Sequence, residues 1–244
     1  MDDEPRQSRI SRFAVGLGGV SLLALASAGP LHRAGVVTLA GAFAVLKYAL
    51  IGSLATLLLA AAALIIARRR RTAMSAAVAA MALSLAALGA VATLAWQASR
   101  VPAIHDVTTD TIQPPPFLAL VPLRAGAPNP VEHGGAPVVA RQRAAYPDIA
   151  PLLLPDPPDR AFERALAAAR TMGWELVASD PVGGRIEATD TTFWFGFKDD
   201  VVIRVTPQPT GCRVDMRSLS RVGGGDLGAN AARIRKYFAT VKGT

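Results

Sequence analysis

The chain has 244 residues, is 51% hydrophobic and carries a formal net charge of +8. This composition favours a membrane unit followed by one small soluble domain over a single large domain. Residues 1–100 hold 10 of the 26 basic residues but only 3 of the 18 acidic ones, so residues 101–244 are nearly neutral. The excess positive charge therefore flanks the apolar segments. The nearly neutral residues 101–244 lack the basic stripe that a nucleic-acid-binding domain needs.

Three apolar segments without charged residues are long enough to cross a hydrocarbon core of about 30 Å. They cover residues 13–31, 48–67 and 73–96. The four arginines Arg68 to Arg71 separate the second segment from the third, and the positive-inside rule places this loop in the cytoplasm. Arg6, Arg9 and Arg12 place the N-terminus on the same side. We therefore expect everything after Arg100 to emerge on the opposite side.

Two points about residues 1–47 remain open at this stage. The small residues Ala26 to Ala28 follow basic residues and an apolar run, so a cleavable signal peptide is the alternative interpretation of the first segment. Ala34 to Leu46 is apolar but too short to span a bilayer, and we expect it to lie in the outer membrane interface.

Residues 101–158 contain 13 of the 18 prolines, which predicts sparse regular structure. This segment is nevertheless more apolar than a solvated linker tolerates, with Phe117, Leu120 and Leu152 to Leu154 among its residues. We expect it to lie extended across the domain that follows.

Residues 159–244 are predicted to form the core of an α+β domain. A helix is expected from an N-cap at Asp156 to Gly173, and a last helix from Asp226 onward. Between them the alternation of apolar residues predicts four or five antiparallel strands. They cover residues 174–178, 185–188, 192–197, 201–206 and 212–218. One face of this sheet is apolar and the other largely charged, and Cys212 is expected to be a small buried hydrophobe.

The glycines Gly223, Gly225 and Gly228 match a dinucleotide-binding fingerprint, but the second strand and acidic residue that this fold requires are missing. The corner could still bind a phosphate, a carboxylate or a lipid headgroup at the start of the last helix. Its candidate ligand-binding residues are Arg217, Ser218, Ser220, Arg221, Gly223, Asp226 and Asn230. The alternative is a structural corner, in which Asp226 caps the helix and Arg217 or Arg221 pairs with Asp199, Asp200 or Asp226.

His105, Asp106 and Asp110 form a second cluster with residue types used in catalysis. The chain has only three histidines and one cysteine, which leaves little for a metal site, and we predict neither a metal nor a cofactor. A hydrolase would require His105 to meet a serine and an aspartate in space, and we expect no enzyme activity.

Two strings of residues resemble the DUF1499 family. The first includes Ile104, His105, Asp106, Thr109, Asp110, Pro114, Phe117 and Tyr146 to Asp148. The second runs from Asp199 through Arg217, Arg221, Gly223, Asp226, Leu227, Gly228, Asn230 and Arg233 to Ile234. The resemblance covers roughly residues 100–241, and the preceding helices are similar to the membrane-anchored bacterial branch. It implies fold and location but no reaction, because the family has no agreed activity. Gly225 stands where a small polar residue is usual in that family.

These observations predict a non-catalytic accessory protein of a bacterial inner membrane, with a periplasmic domain that binds a protein or an envelope component. The alternative is a module that binds a lipid or small anion at the glycine-rich corner. The membrane and a protein or lipid are thus the expected partners, and nucleic acid is not.

Overall fold

A computed structural model describes residues 4–70 and 74–243. They divide into two compact units, one within Met1–Gln97 together with Trp194–Gly196, the other within Ala98–Phe193 and Phe197–Thr244. Arg71 and Thr72 of the arginine loop, and Ala73 at the predicted start of the third segment, lie outside the described residues.

The first unit contains three long helices, α1 (Glu4–Arg33), α2 (Leu39–Arg70) and α3 (Ser75–Ser99). Each is long and apolar enough to cross a membrane, as the sequence predicted. One small residue from each helix, Ala14, Ala60 and Ala80, is buried where the helices meet. Such residues allow the close backbone approach that holds helices together in lipid.

The apolar stretch before the second predicted span differs from expectation. Residues from Leu39 onward belong to α2, which continues without a break to Arg70. The second helix therefore begins earlier than predicted, and the interfacial position of Ala34 to Leu46 stays a prediction. Lys47 stands inside this helix, because one long basic side chain can be carried in an apolar helix by extending toward the headgroups.

The second unit is an α+β domain built on one antiparallel sheet, which confirms the predicted fold class. Its strands are β1 (Asp106–Thr108), β2 (Leu152–Leu154), β3 (Glu175–Asp180), β4 (Arg185–Thr191), β5 (Lys198–Gln208) and β6 (Gly211–Ser220). The strand order is β1-β6-β5-β4-β3. β2 also pairs with β6, at Cys212–Val214, whereas β1 pairs with Arg217–Leu219. The helices are α4 (Gly135–Ala145), α5 (Pro158–Thr171) and α6 (Ala229–Gly243), with a short 3-10 helix at Pro122–Arg124.

Helices α5 and α6 cover one face of the sheet and form the main core. Alternate residues of β5 and β6, including Val201, Ile203 and Met216, are fully buried there. Trp174 stacks on Tyr237 with ring centroids 5.3 Å apart. The Tyr237 hydroxyl donates a hydrogen bond of 2.9 Å to the carbonyl of Ala165, which joins α6 to α5. Cys212 is buried in this core, as expected.

The opposite, charged face is also covered. Phe117 and Leu120 from the proline-rich segment pack on Val202 of β5 and Leu219 of β6, and Val131 completes this second, smaller cluster. The proline-rich segment therefore crosses the sheet, as its apolar residues indicated. It also contains α4, which the sequence analysis did not predict.

Two further expectations about the elements are corrected. The aromatic run Thr192–Phe197 was predicted as a strand, but it is the loop that connects β4 with β5. Helix α5 has Pro157 rather than Asp156 at its N-cap, and the Asp156 carboxylate instead pairs with Arg164. Prolines at the first helical positions supply a preset φ in place of a side-chain cap.

Substitution of Gly211, at the start of β6, tests how closely the end of β2 packs against this position. Its φ is +103°, and a Cβ added there would lie 2.1 Å from the carbonyl oxygen of Leu154. We predict that Gly211→Ala lowers the free energy of unfolding of the domain by about 3 kcal/mol, because backbone strain and a backbone clash add. The measurement is thermal unfolding of the full chain in detergent, followed by near-UV circular dichroism.

The matched control is Gly173→Ala. Gly173 has a φ of +76°, but nothing lies within 4 Å of an added Cβ. Only the conformational cost of about 1 kcal/mol is expected there. Equal losses in the two variants would contradict the clash.

Candidate functional site

The candidate ligand-binding residues of the glycine-rich corner lie at the end of β6. Side chains along a strand point alternately to opposite faces, so Arg217 and Ser218 cannot share a face. Arg217 and Arg221 bond to groups on the face covered by the proline-rich segment. Ser218, Ser220 and Asn230 bond to one another on the α6 side. The predicted corner is therefore two separate polar networks, one on each face of the sheet.

Arg217 forms a buried, bidentate ion pair with Asp106. Its Nε and Nη2 donate to the two carboxylate oxygens at 2.9 and 2.7 Å, and both side chains are 4% exposed. Nη2 also donates to the carbonyl of Val131 at 2.8 Å. The guanidinium lies 5.0 Å from the ring centroid of Phe117. All of these contacts tie β1 and the proline-rich segment, which we call the covering segment, to β6.

Asp200 is the centre of the network on this face, and its side chain is fully buried. Arg221 donates to it from Nε at 2.8 Å and from Nη2 at 2.9 Å. Arg124 donates from Nη1 at 2.6 Å, and the Thr189 hydroxyl donates at 2.7 Å. One carboxylate thus pairs with two arginines, and the Arg221–Asp200 pair is among those that the structural alternative named.

The same groups fix the backbone of the covering segment. Arg221 Nη1 donates to the carbonyl of Leu123 at 2.9 Å. The buried carboxylate of Glu187 accepts hydrogen bonds from the backbone N–H groups of Leu118 and Leu120, at 2.8 and 2.9 Å. Charge-assisted bonds of this kind hold a loop more firmly than neutral ones.

Three apolar side chains project from the segment that is fixed in this way. Leu118, Val121 and Leu123 are 60%, 44% and 53% exposed, whereas Leu120 between them is fully buried. We call Leu118, Val121 and Leu123 the apolar ledge. Large apolar side chains displayed on an ordered backbone mark surfaces that proteins use for contact.

Arg233 organises the network on the α6 side. Its guanidinium bonds to Asp190 at 2.7 Å and to Asp199 at 2.6 Å. Nη1 also donates to Ser218 and Asn230, at 3.0 and 2.6 Å. The Asn230 amide donates to the Ser220 hydroxyl and to the carbonyl of His105, each at 3.0 Å. These bonds join α6 to the ends of β4, β5 and β6.

The start of α6 is closed by Asp226. Its carboxylate accepts from the backbone N–H groups of Gly228 at 2.8 Å and Asn230 at 2.9 Å, so Asp226 occupies the donors that an anion would use. Burial raises the pKa of Asp226, the charge of Asp199 adds to the rise, and these two hydrogen bonds lower it. Gly223, with a φ of +96°, accepts at its carbonyl a 2.9 Å hydrogen bond from the Asn129 amide.

The second predicted cluster is not brought together. Asp106 pairs with Arg217, whereas Asp110 pairs with Arg204 and Arg213 at 2.9 and 3.0 Å. The Nδ1 atom of His105 is buried without a hydrogen-bond partner, so it is not bonded to a serine or an aspartate through that atom. Within residues 4–70 and 74–243, His, Cys, Asp and Glu side chains form no group of three that could hold a metal ion.

Three residues central to these networks, Arg124, Glu187 and Arg233, were not among the predicted site residues. Glu187 stands in a predicted strand between two apolar residues, and Arg124 is the one charged residue of a long apolar and proline-rich stretch. A charged residue in such a setting is a recognisable sign of a buried charge that is paired or hydrogen-bonded. Its partner is set by tertiary structure and carries no local signal.

The Arg217–Asp106 pair can be tested with a double-mutant cycle. We predict that Arg217→Met lowers the free energy of unfolding by about 3–5 kcal/mol, because the buried Asp106 charge is left uncompensated. Adding Asp106→Leu should recover most of this loss. Chemical unfolding of the full chain in detergent measures both. A double variant as unstable as the single one would contradict a mainly structural pair.

The acid sensitivity of the domain offers another test. Partial burial acts to raise the pKa of Asp110, but hydrogen bonds from Gln113, Ile112 and Arg204 and the charge of Arg213 hold the pKa below its ordinary value of 3.8. The ionised form is thus favoured in the folded state, and its stabilisation is present above pH 3.8 and lost as the pH falls further.

We therefore predict that Asp110→Asn lowers the unfolding temperature at pH 7 and that the difference from the parent chain shrinks below about pH 4. Thermal unfolding measured between pH 7 and pH 3 checks this. A difference that grows as the pH falls would contradict it.

Comparison with curated proteins gives no match. A family model described as a protein of unknown function, DUF1499, matches residues 106–241. The match begins at the first residue of β1 and ends inside α6, so it covers the whole sheet and both arginine networks. It covers more than half of the chain, confirms the resemblance drawn from the sequence, and leads to the conclusion that this protein is a member of the DUF1499 family, carried on three candidate membrane-spanning helices.

Proposed function

We propose that this protein is a non-catalytic, membrane-anchored accessory protein whose soluble domain binds a protein partner through the apolar ledge. The proposal rests on the hydrogen bonds that the buried arginines and Glu187 make to the covering segment. They hold the backbone from which Leu118 and Leu123 project into water.

The energetics support a binding role. Burying an ion pair costs several kcal/mol of desolvation for each ion, and such pairs rarely add net stability compared with apolar residues. Their advantage is geometric, because a bidentate guanidinium permits one arrangement of its partners. A recognition surface gains from such rigidity, since a pre-ordered surface loses less entropy on binding.

The charge pattern supports an orientation with the soluble domain on the side opposite the cytoplasm, which in the proposed bacterial inner membrane is the periplasm. Arg68 and Arg69 at the end of α2 belong to the arginine cluster between the second and third spans, and Arg9 and Arg12 belong to α1. Basic residues at both sites favour the cytoplasmic side, which leaves the end of α3 outside.

The alternative of a lipid- or anion-binding corner has less support. Arg217 and Arg221 each make two hydrogen bonds to a carboxylate, and an anion would have to displace that carboxylate from a buried position. A hydrolase has less support still, because the carboxylates beside His105 in sequence are bound to arginines.

Site-specific photo-crosslinking in native membranes tests the proposed surface. We expect a photoreactive phenylalanine at Leu118 of the full-length chain to give one adduct of defined mass with a protein. The same probe at Val182, which is 98% exposed in the β3–β4 turn, is the control and should give none. Leu123→Ser should reduce the Leu118 adduct about tenfold, since the loss of one buried leucine contact costs roughly 1.5–3 kcal/mol.

Three results would contradict this function. They are the same adducts at both positions, no adduct at Leu118, and an adduct at Leu118 that Leu123→Ser leaves unchanged. A phospholipid adduct in place of a protein would favour the lipid-binding alternative.

The proposed orientation has its own test. In a Cys212→Ala background, Val182→Cys should react with a membrane-impermeant maleimide added to intact cells whose outer membrane has been permeabilised. A second variant, Ser75→Cys at the start of α3, should react only after lysis. The reverse pattern would place the soluble domain in the cytoplasm.

A further inference from the structure

The loop between β4 and β5 is rich in aromatic residues, and its tip, Trp194–Gly196, belongs to the unit of the three helices. Thr192–Phe197 reads T-F-W-F-G-F, so four of its six residues are aromatic. Phe193 at its turn is 89% exposed. Exposure of a large aromatic side chain to water is unfavourable, and it therefore calls for a specific explanation.

The loop is closed and ordered by its own bonds. The backbone N–H of Thr192 donates to the carbonyl of Phe197 at 2.8 Å, and the N–H of Phe197 donates to the Thr192 hydroxyl at 2.8 Å. Gly196 has a φ of +70°, which allows the chain to turn back. Trp194 and Phe195 meet edge to face with ring centroids 4.9 Å apart. The aromatic residues are thus held together at the tip of a hairpin.

The strand registers show which end of the sheet carries this hairpin. Asp106 of β1 pairs with Leu219 of β6, Leu219 pairs with Asp200 of β5, and Asp200 pairs with Thr189 of β4. One row across the sheet therefore joins the first residue of β1 to the base of the aromatic loop. At about 4.8 Å per strand, the row from β1 to β4 measures about 14 Å.

The chain joins the same end of the sheet to α3, because α3 ends at Ser99 and β1 begins at Asp106. The tip of the aromatic loop belongs to the unit of the three helices, where the indole Nε1 of Trp194 donates to the carbonyl of Ala26 in α1 at 3.1 Å. In the same unit, the ring centroids of Phe195 and Phe43 of α2 lie 5.9 Å apart. Phe193 therefore directly precedes a tip that packs on candidate membrane spans.

We propose that the Thr192–Phe197 loop inserts the exposed Phe193 side chain into the outer interface of the bilayer that the three helices span. A phenylalanine ring can be buried at the boundary between headgroups and acyl chains, where it is removed from water. Lys198, exposed directly after the loop, suits the phosphates of the headgroups. This contact is separate from the apolar ledge and does not depend on a protein partner.

Depth-dependent fluorescence quenching tests the proposal on the full-length chain. In a Cys212→Ala background, Phe193→Cys is labelled with an environment-sensitive dye and reconstituted into phosphatidylcholine–phosphatidylglycerol vesicles. The matched control is Val182→Cys, because Val182 is 98% exposed in the turn before β4, and the pairing of Arg185 with Arg204 sets that turn at the opposite end of the sheet.

We expect a blue-shifted emission at position 193 and quenching by lipids with a nitroxide near the headgroup that is about twofold or more stronger than at position 182. Equal quenching at the two positions, or full access of aqueous iodide to the label at position 193, would overturn the proposal. So would a label at position 193 shielded from both iodide and nitroxide lipid, since that result indicates a protein contact instead. The control label at position 182 shows that the labelled chain is folded, so each result at position 193 can be interpreted. None of these results bears on the crosslinking at Leu118.

Discussion

The soluble domain depends on one electrostatic constraint, the complete burial of the Asp200 carboxylate within the sheet. An isolated carboxylate in that position would cost many kcal/mol, so its charge must be balanced by groups brought from elsewhere in the chain. The structure balances it with Arg124 from the covering segment and Arg221 from the end of β6. The path of the proline-rich segment follows from this, because Arg124 can reach Asp200 only if the segment crosses the sheet.

Alternation along β6 extends the same logic to both faces of the sheet. Arg217 meets Asp106 on one face, while Ser218 meets Asn230 and Arg233 on the other. Each network therefore joins an element distant in sequence to the same short stretch of β6. The glycine-rich connection that follows β6 lies between these networks. Its backbone accepts a hydrogen bond from the Asn129 amide and donates one to the Asp226 carboxylate.

The sequence predicted the elements whose signal is local. Long uncharged runs identified the three helices, and apolar alternation located β4, β5 and β6 to within three residues at each end. The aromatic run at Thr192–Phe197 was misread because alternation of Phe with other residues is the same in a buried strand and in an exposed loop tip. Helix α4 was missed because Gly135 and Pro137 are breakers elsewhere, although proline is well tolerated in a first turn.

The candidate site was harder to predict, for a different reason. The residue types and the β6 stretch were found correctly, but the face to which each side chain points depends on register. The pairing of Arg221 with Asp200 was among the open alternatives, whereas Arg124 and Glu187 act over 76 and 69 positions of sequence. Contacts of that range leave no trace in local spacing.

The position of β1 has a consequence for the order in which the domain is made. β1 is the first strand to follow α3, yet it pairs only with β6, the last strand of the sheet. During synthesis from the N-terminus, β1 is made well before its partner β6. The pairing separates its partners by more than 100 residues, and such non-local contacts slow folding. β1 therefore stays without its partner strand until synthesis has reached β6, and only then can the sheet be completed.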